Sequence, residues 1–158
     1  MTGIEERLEK LGITLGAAPA PAANYVPFVL RGSELFISGQ LPMSDGTLQY
    51  QGQLNGSGDD EIERGQAAAR LCAVNILSQA KAAIGDLGRI EQCIKLGGFV
   101  AASTDFTDHP AIINGASDLM VAALGDAGRH TRFAVGTSSL PFGALVEVDA
   151  LFHIKPLD

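Results

Sequence analysis

The 158-residue sequence predicts an α+β fold, with one β-sheet carrying two helices on a single face. Three observations predict it. Two long segments at helical spacing, near residues 60–84 and 108–125, lie among five or six short apolar runs. The resulting order is β-β-(β)-α-β-α-β-β. The last run, 145–154, is apolar on both sides, with Val146, Val148 and Phe152 on one and Leu145 and Leu151 on the other. Helices cover only one face of such a sheet, so oligomerisation is expected to cover the second.

Each element follows from local chemistry. Residues 2–12 read as a short helix. Thr2 and Glu5 have capping-box spacing, Ile4, Leu8 and Leu11 share a face, and Gly12 can end it. The small-residue and proline run 16–23 is an extended connector. Apolar runs 25–30 and 35–38 flank Arg31-Gly32-Ser33-Glu34, a hairpin signal. Residues 39–58 hold five glycines with Pro42 and Asp45-Gly46, which predicts a loop with one short strand near 47–50.

The longest helix is expected from about 60 to 84, capped by Asp59 or Asp60 and stopped by Gly85. Ile62, Ala69, Cys72, Leu77 and Ala80 form its buried stripe. Residues 90–102 read as a strand in which Gly97-Gly98 marks a bulge or a close approach. A second helix begins near Asp108 with Pro110 in its first turn and ends near Gly125, with Ile113, Ala116, Met120 and Ala123 on one side. Strands at 132–135 and 145–154 flank the loop 136–143. The whole reads as one domain, 1–158, with an N-terminal helical extension of about residues 1–20 and no internal repeat.

Composition narrows the function. The net charge is -7, and the 11 Lys and Arg are scattered without a basic cluster. Nucleic-acid affinity depends on neutralising phosphates, so RNA and DNA are disfavoured partners. With no Trp and two Tyr, a base-stacking surface is poorly supplied. The charge-free stretch 11–30 is broken by Pro19, Pro21 and Pro27 and the N-terminus is acidic, which predicts a cytoplasmic protein without a membrane span. Cys72 and Cys93 lack CxxC or metal-ligand spacing and read as reduced, buried thiols. His109, His130 and His153 match no ligand spacing, so no metal is expected. Asn55-Gly56-Ser57 matches a glycosylation sequon but reads as a turn.

The last quarter carries the chemical signal. Arg132 opens Arg-Phe-Ala-Val, and Glu147 interrupts Leu-Val-Glu-Val-Asp-Ala-Leu-Phe. A carboxylate inside an apolar strand costs several kcal/mol unless partnered. If these two runs form an antiparallel hairpin about the loop 136–143, Arg132 falls nearly opposite Glu147. Two readings stand at this point: a structural ion pair, or an arginine fork that grips a substrate carboxylate beside a glutamate that orients water.

Longer motifs resemble a known family. Tyr25-Val-Pro-Phe-Val and Leu35-Phe-Ile-Ser-Gly-Gln-Leu-Pro42 resemble the opening of the RidA family, also called YjgF or UK114-like and often described as endoribonuclease L-PSP. Asn114 after Asp108-His-Pro-Ala-Ile-Ile, and Arg132 with Leu140-Pro141 and Val146-Glu147-Val148, resemble its later motifs. The resemblance spans about residues 24–155. It implies a chorismate-mutase-like homotrimer with clefts between subunits and no metal or organic cofactor. The implied activity is hydrolytic deamination of reactive 2-enamino or 2-imino acids to 2-keto acids and ammonia. The alternative is a non-catalytic module that binds or senses a small keto acid. Carried over, Arg132 binds the substrate carboxylate and Glu147 positions water. Tyr25 lines the cleft, Ser38 and Gly39 supply polar and backbone contacts, and Asn114 contributes. Ala134 stands where the family often has Cys, Phe133 is bulky, and the N-terminal helix and 43–58 loop exceed the family's compact pattern.

Overall fold

A computed structural model describes residues 3–56 and 58–157. Thr2 of the expected capping box and Ser57 of the sequon lie outside the described residues. The chain runs α1 (Ile4–Lys10), β1 (Phe28–Arg31), β2 (Glu34–Gln40), β3 (Met43–Ser44), β4 (Thr47–Leu48), α2 (Asp59–Ile84), β5 (Ile90–Ala101), α3 (His109–Leu124), β6 (Thr131–Thr137) and β7 (Val146–Ile154). The main sheet has the order β1-β2-β7-β5-β6, and β3-β4 form a separate small hairpin. The expected α+β layering is present, and the loop 39–58 holds two short strands where one was expected.

Strand order departs from the sequence reading. β6 pairs parallel with β5, and β5 pairs antiparallel with β7, so β5 separates the two strands expected to form a hairpin. The cause is α3. It links β5 to β6 as a β-α-β crossover, which seats β6 parallel beside β5 at the sheet edge.

Residue alternation assigns the two faces. Val146, Val148, Ala150, Phe152 and Ile154 of β7 are buried, as are Leu96 and Val100 of β5. They face α2 and α3. The opposite face has no cover within the chain. There Val29 is 49% exposed, Phe36 45%, Phe99 38% and Val135 40%, too apolar a set for an ordinary wet sheet face. Leu145 is buried, whereas Glu147 and Leu151 are only partly so, and the two-sided burial expected for β7 is incomplete in one chain.

Close approach explains the glycines in this core. A Cβ at Gly98 would lie 2.6 Å from Ile113 of α3, so Gly97-Gly98 marks a close approach, while the register shifts of β5 fall earlier, at 90–92 and 93–95. Gly115 sits against α2, where an added Cβ would fall 2.1 Å from the Gln66 carbonyl oxygen. Gly115→Ala should therefore cost about 1–3 kcal/mol by forcing the two helices apart. Denaturant unfolding checks this, and an unchanged midpoint would contradict so tight a crossing.

α2 is preceded by Gly58 and has no side-chain cap, so Asp59 and Asp60 fall in its first turn instead of capping it. Their carboxylates favour the helix dipole there. Gly85, at φ 76°, ends the helix. Both cysteines are free and buried, and burial pushes the Cys93 thiol up to about 12. Among the described residues, no helix is long and apolar enough to cross a membrane.

α1 docks through buried Ile4 and Leu8. Arg7 Nε donates to the Ala123 carbonyl at 2.7 Å, and Glu5 pairs with Lys81 at 3.3 Å. The segment after α1 then runs over the flank of α2, where Gln79 Nε2 donates to the Pro19 carbonyl at 2.6 Å.

Candidate functional site

The sequence-predicted residues fall into two groups. The first lies where β2 meets β7. Ile37 pairs with Ala150 and Gln40 with Val148, so Ser38 and Gly39 together oppose one β7 residue in a bulge. The bulge sits directly under Glu147. A Cβ on Gly39 would fall 2.2 Å from Glu147 Oε1, so glycine leaves the room the carboxylate occupies and a larger residue would push it aside.

Ser38 serves the same place indirectly. Its hydroxyl donates to the Val26 carbonyl at 2.8 Å and its N–H to the Pro27 carbonyl at 2.9 Å. These bonds fasten the segment that presents Tyr25, which is 46% exposed and accepts from the Ala22 N–H at 3.3 Å. The Ser38 hydroxyl hydrogen is thus committed to the backbone.

Glu147 is half-buried on the open sheet face and has no ion-pair partner among the described residues. Burial, and secondarily the nearby Asp149 charge, raises its pKa above the ordinary carboxylate value. Asp149 is also raised, by desolvation, against the opposing effects of the Gly97 backbone and Lys95.

The second group lies at the β6 edge. Arg132 is partly buried, on the helix side of the sheet, and reaches along α3. Its Nη1 donates to Ser117 Oγ and its Nη2 to the Pro110 carbonyl, both at 3.1 Å. Two of its five donors are so used, and no acid pairs with it among the described residues. Asn114 is exposed on α3, four residues after Pro110 and three before Ser117, on the same helix flank.

Sequence reasoning missed Ser117 and His130. His130 Nδ1 lies 2.6 Å from the Gly128 carbonyl and His130 Nε2 lies 2.8 Å from Ser117 Oγ. With a neutral imidazole the carbonyl fixes the proton on Nδ1, so Ser117 donates to Nε2 and turns a lone pair to Arg132. The chain Arg132→Ser117→His130→Gly128 runs in one direction and fixes the plane of the guanidinium. No linear motif marks this set, because a helix, a turn and a strand each supply one member.

The expected Arg132–Glu147 cross-strand pair is absent, which corrects the hairpin reading. Phe99 pairs with Glu147 and Leu96 with Arg132, so the two residues are three positions apart along β5 and on opposite faces. Two strand spacings and three residue rises put their Cα atoms roughly 14 Å apart. Ala134 joins the helix-side core. Phe133 lies on the other face, stacked edge-on against Phe99 at 5.3 Å with Lys95 over its ring.

The family described as "YjgF/chorismate mutase-like, putative endoribonuclease" matches residues 5–153. Protein TCP17 of Trypanosoma cruzi is 49% identical over 153 residues, covering 96% of this chain and 94% of that protein. The crystal structure of Atu1372 from Agrobacterium tumefaciens, a protein of unknown function, is 51% identical at TM-score 0.88, covering 96% of this chain and 92% of that one. Escherichia coli TdcF, crystallised with bound serine, is 27% identical at TM-score 0.61, covering 87% of this chain and 94% of that one.

Proposed function

The chain belongs to the YjgF/chorismate mutase-like family, and we propose that it hydrolyses small 2-imino and 2-enamino acids at sites completed between subunits of a homotrimer. One observation carries the reading. Arg132 and Glu147, opposite in charge and each partly buried, have no ion-pair partner of their own among the described residues. Charges held this way are costly unless a ligand or a neighbouring subunit answers them. They lie on opposite sides of the sheet, so a cleft containing both takes Arg132 and Asn114 from one subunit and Glu147, Gly39, Ser38 and Tyr25 from the next. The uncovered apolar face, with Val29, Phe36, Phe99 and Val135, is the surface such an assembly buries.

The chemistry requires little machinery. The free N–H groups of Arg132 hold the substrate carboxylate, with Asn114 beside it. An enamine first takes a proton at its terminal carbon to become the imine. Water held by Glu147 adds to the C=N carbon as its proton passes to the carboxylate. That proton then goes to nitrogen, giving a carbinolamine; its hydroxyl proton passes through the same carboxylate to nitrogen as the C–N bond breaks, and a 2-keto acid and ammonia leave. A carboxylate of raised pKa is a better base for this step, and general acid–base catalysis of this kind contributes roughly 10²–10⁴-fold. The serine bound in TdcF is a small amino acid with the same carboxylate. It equally favours a second reading, in which the cleft binds or senses small carboxylates without turnover. The net charge of -7 weighs against RNA as substrate in the proposed cytoplasmic setting.

The test makes 2-aminoacrylate in situ from serine with a pyridoxal-phosphate lyase and follows loss of the imine. Micromolar protein should accelerate that loss; no acceleration, with pyruvate still bound, leaves only the binding reading. Sedimentation should give three times the chain mass of 16.4 kDa. A single-chain mass would contradict sites shared between subunits.

A further inference from the structure

Beside the Glu147 group opens a cleft of about 930 Å³, which shares Tyr25 and Gly39 with it. Building on the function proposed above, we propose that this cleft receives the substrate's side chain, and that preferred substrates are 2-imino acids bearing a bulky, uncharged, apolar group. A three-carbon imino acid occupies a small part of such a volume, which is in the range of pockets that enclose much larger ligands.

The lining states the chemistry. Leu41, Met43 and Leu48 form one wall and Leu71 and Val74 of α2 the other, all apolar and all partly exposed. Asp45 is the one charged residue among those that line it. Asn75, Ser78 and Gln79 spend side-chain hydrogens on backbone carbonyls, so an anionic substituent would face Asp45 and lose hydration there without gaining a cation.

The walls are held apart by design of the sequence. Asn75 Nδ2 donates to the Leu41 carbonyl at 2.9 Å and to the Met43 carbonyl at 3.0 Å, fixing the chain that leaves β2. Gln79, 1% exposed, holds the Pro19 carbonyl and so fixes the 16–22 segment as a roof. Both amides come from α2, so roof, wall and floor share one rigid support, and the cleft exists before a ligand arrives. At its margin Phe142 is 68% exposed and held at φ 58°, a left-handed conformation a bulky residue adopts at a cost.

The experiment offers imines made in situ by an amino-acid oxidase from alanine, leucine and phenylalanine. Each methylene taken from water is worth about fourfold, so kcat/KM for the leucine imine should exceed that for the alanine imine by at least about tenfold. Val74→Trp on α2 and Leu48→Trp on the β3–β4 hairpin fill the cleft from opposite walls. Each should abolish the preference for the leucine imine. Equal rates for all three imines, unmoved by either variant, overturn the pocket while the deaminase reading stands. Acceleration of none overturns the deaminase reading instead. Calorimetry then decides the pocket: tighter binding of 4-methyl-2-oxopentanoate than of pyruvate upholds it, and equal or absent binding overturns it.

Discussion

Arg132→Ala should lower kcat/KM for imine hydrolysis by two to three orders of magnitude, mostly through KM, with little loss of stability. Removing one member of a desolvated charge pair costs about 2–5 kcal/mol, which sets that range. The side chain lies at the sheet edge and bonds only the Pro110 carbonyl and the Ser117 hydroxyl, so its loss leaves no buried charge behind. Arg132→Lys restores charge without the planar fork and should recover only part of the affinity. Ser117→Ala leaves the charge and the fork but releases their orientation, so KM rises by less. Steady-state kinetics with an imino acid and its uncharged amide checks all three. The amide should be indifferent to every one of them, and an equal response to acid and amide would make Arg132 a structural residue.

Glu147→Gln should reduce kcat by about 10²–10⁴-fold while sparing carboxylate binding, because the amide fills the same space but cannot take a proton. The pH dependence gives a second readout. Glu147 acts as base only when ionised, and its pKa is raised by burial and Asp149, so activity should rise with pH through a midpoint above 4.5. Glu147→Gln should erase that limb. A limb that persists in the variant would assign the base to another group. Gly39→Ala should mimic part of the loss, since its methyl group would occupy the space of the carboxylate oxygen.

Much of this organisation is legible along the chain. Period and punctuation place α2 within a residue of its expected ends, because Gly85 and the acidic start at 59–61 act locally. The β1–β2 hairpin is legible for the same reason: its turn is encoded in Arg31-Gly32-Ser33-Glu34, with Gly32 at φ 61°. Strand order is not. Nine residues between the expected strands at 132–135 and 145–154 suit a hairpin as well as a passage over the end of an intervening strand, and nothing local separates the two.

What decides the order is the packing of α3 on β5, where Ile113 fills the space left by Gly98. The same limit hid the site's division. Ser38-Gly39 and Glu147 become neighbours only through the β2–β7 bulge, and Arg132 is turned to the opposite face by the parallel pairing of β6. The cleft walls, set by Asn75 and Gln79 reaching 30 to 60 residues along the chain, have no sequence signature at all.

The claim on which this account turns is that each site draws its arginine and its glutamate from different subunits. Subunits of Arg132→Ala and Glu147→Gln are mixed after denaturation, refolded together and assayed at substrate well below KM, where each alone is nearly inactive. If sites are shared, random assembly pairs an intact Arg132 with an intact Glu147 at about one site in four, and roughly a quarter of wild-type activity returns. A co-assembled mixture that stays as inactive as its parents would contradict the account.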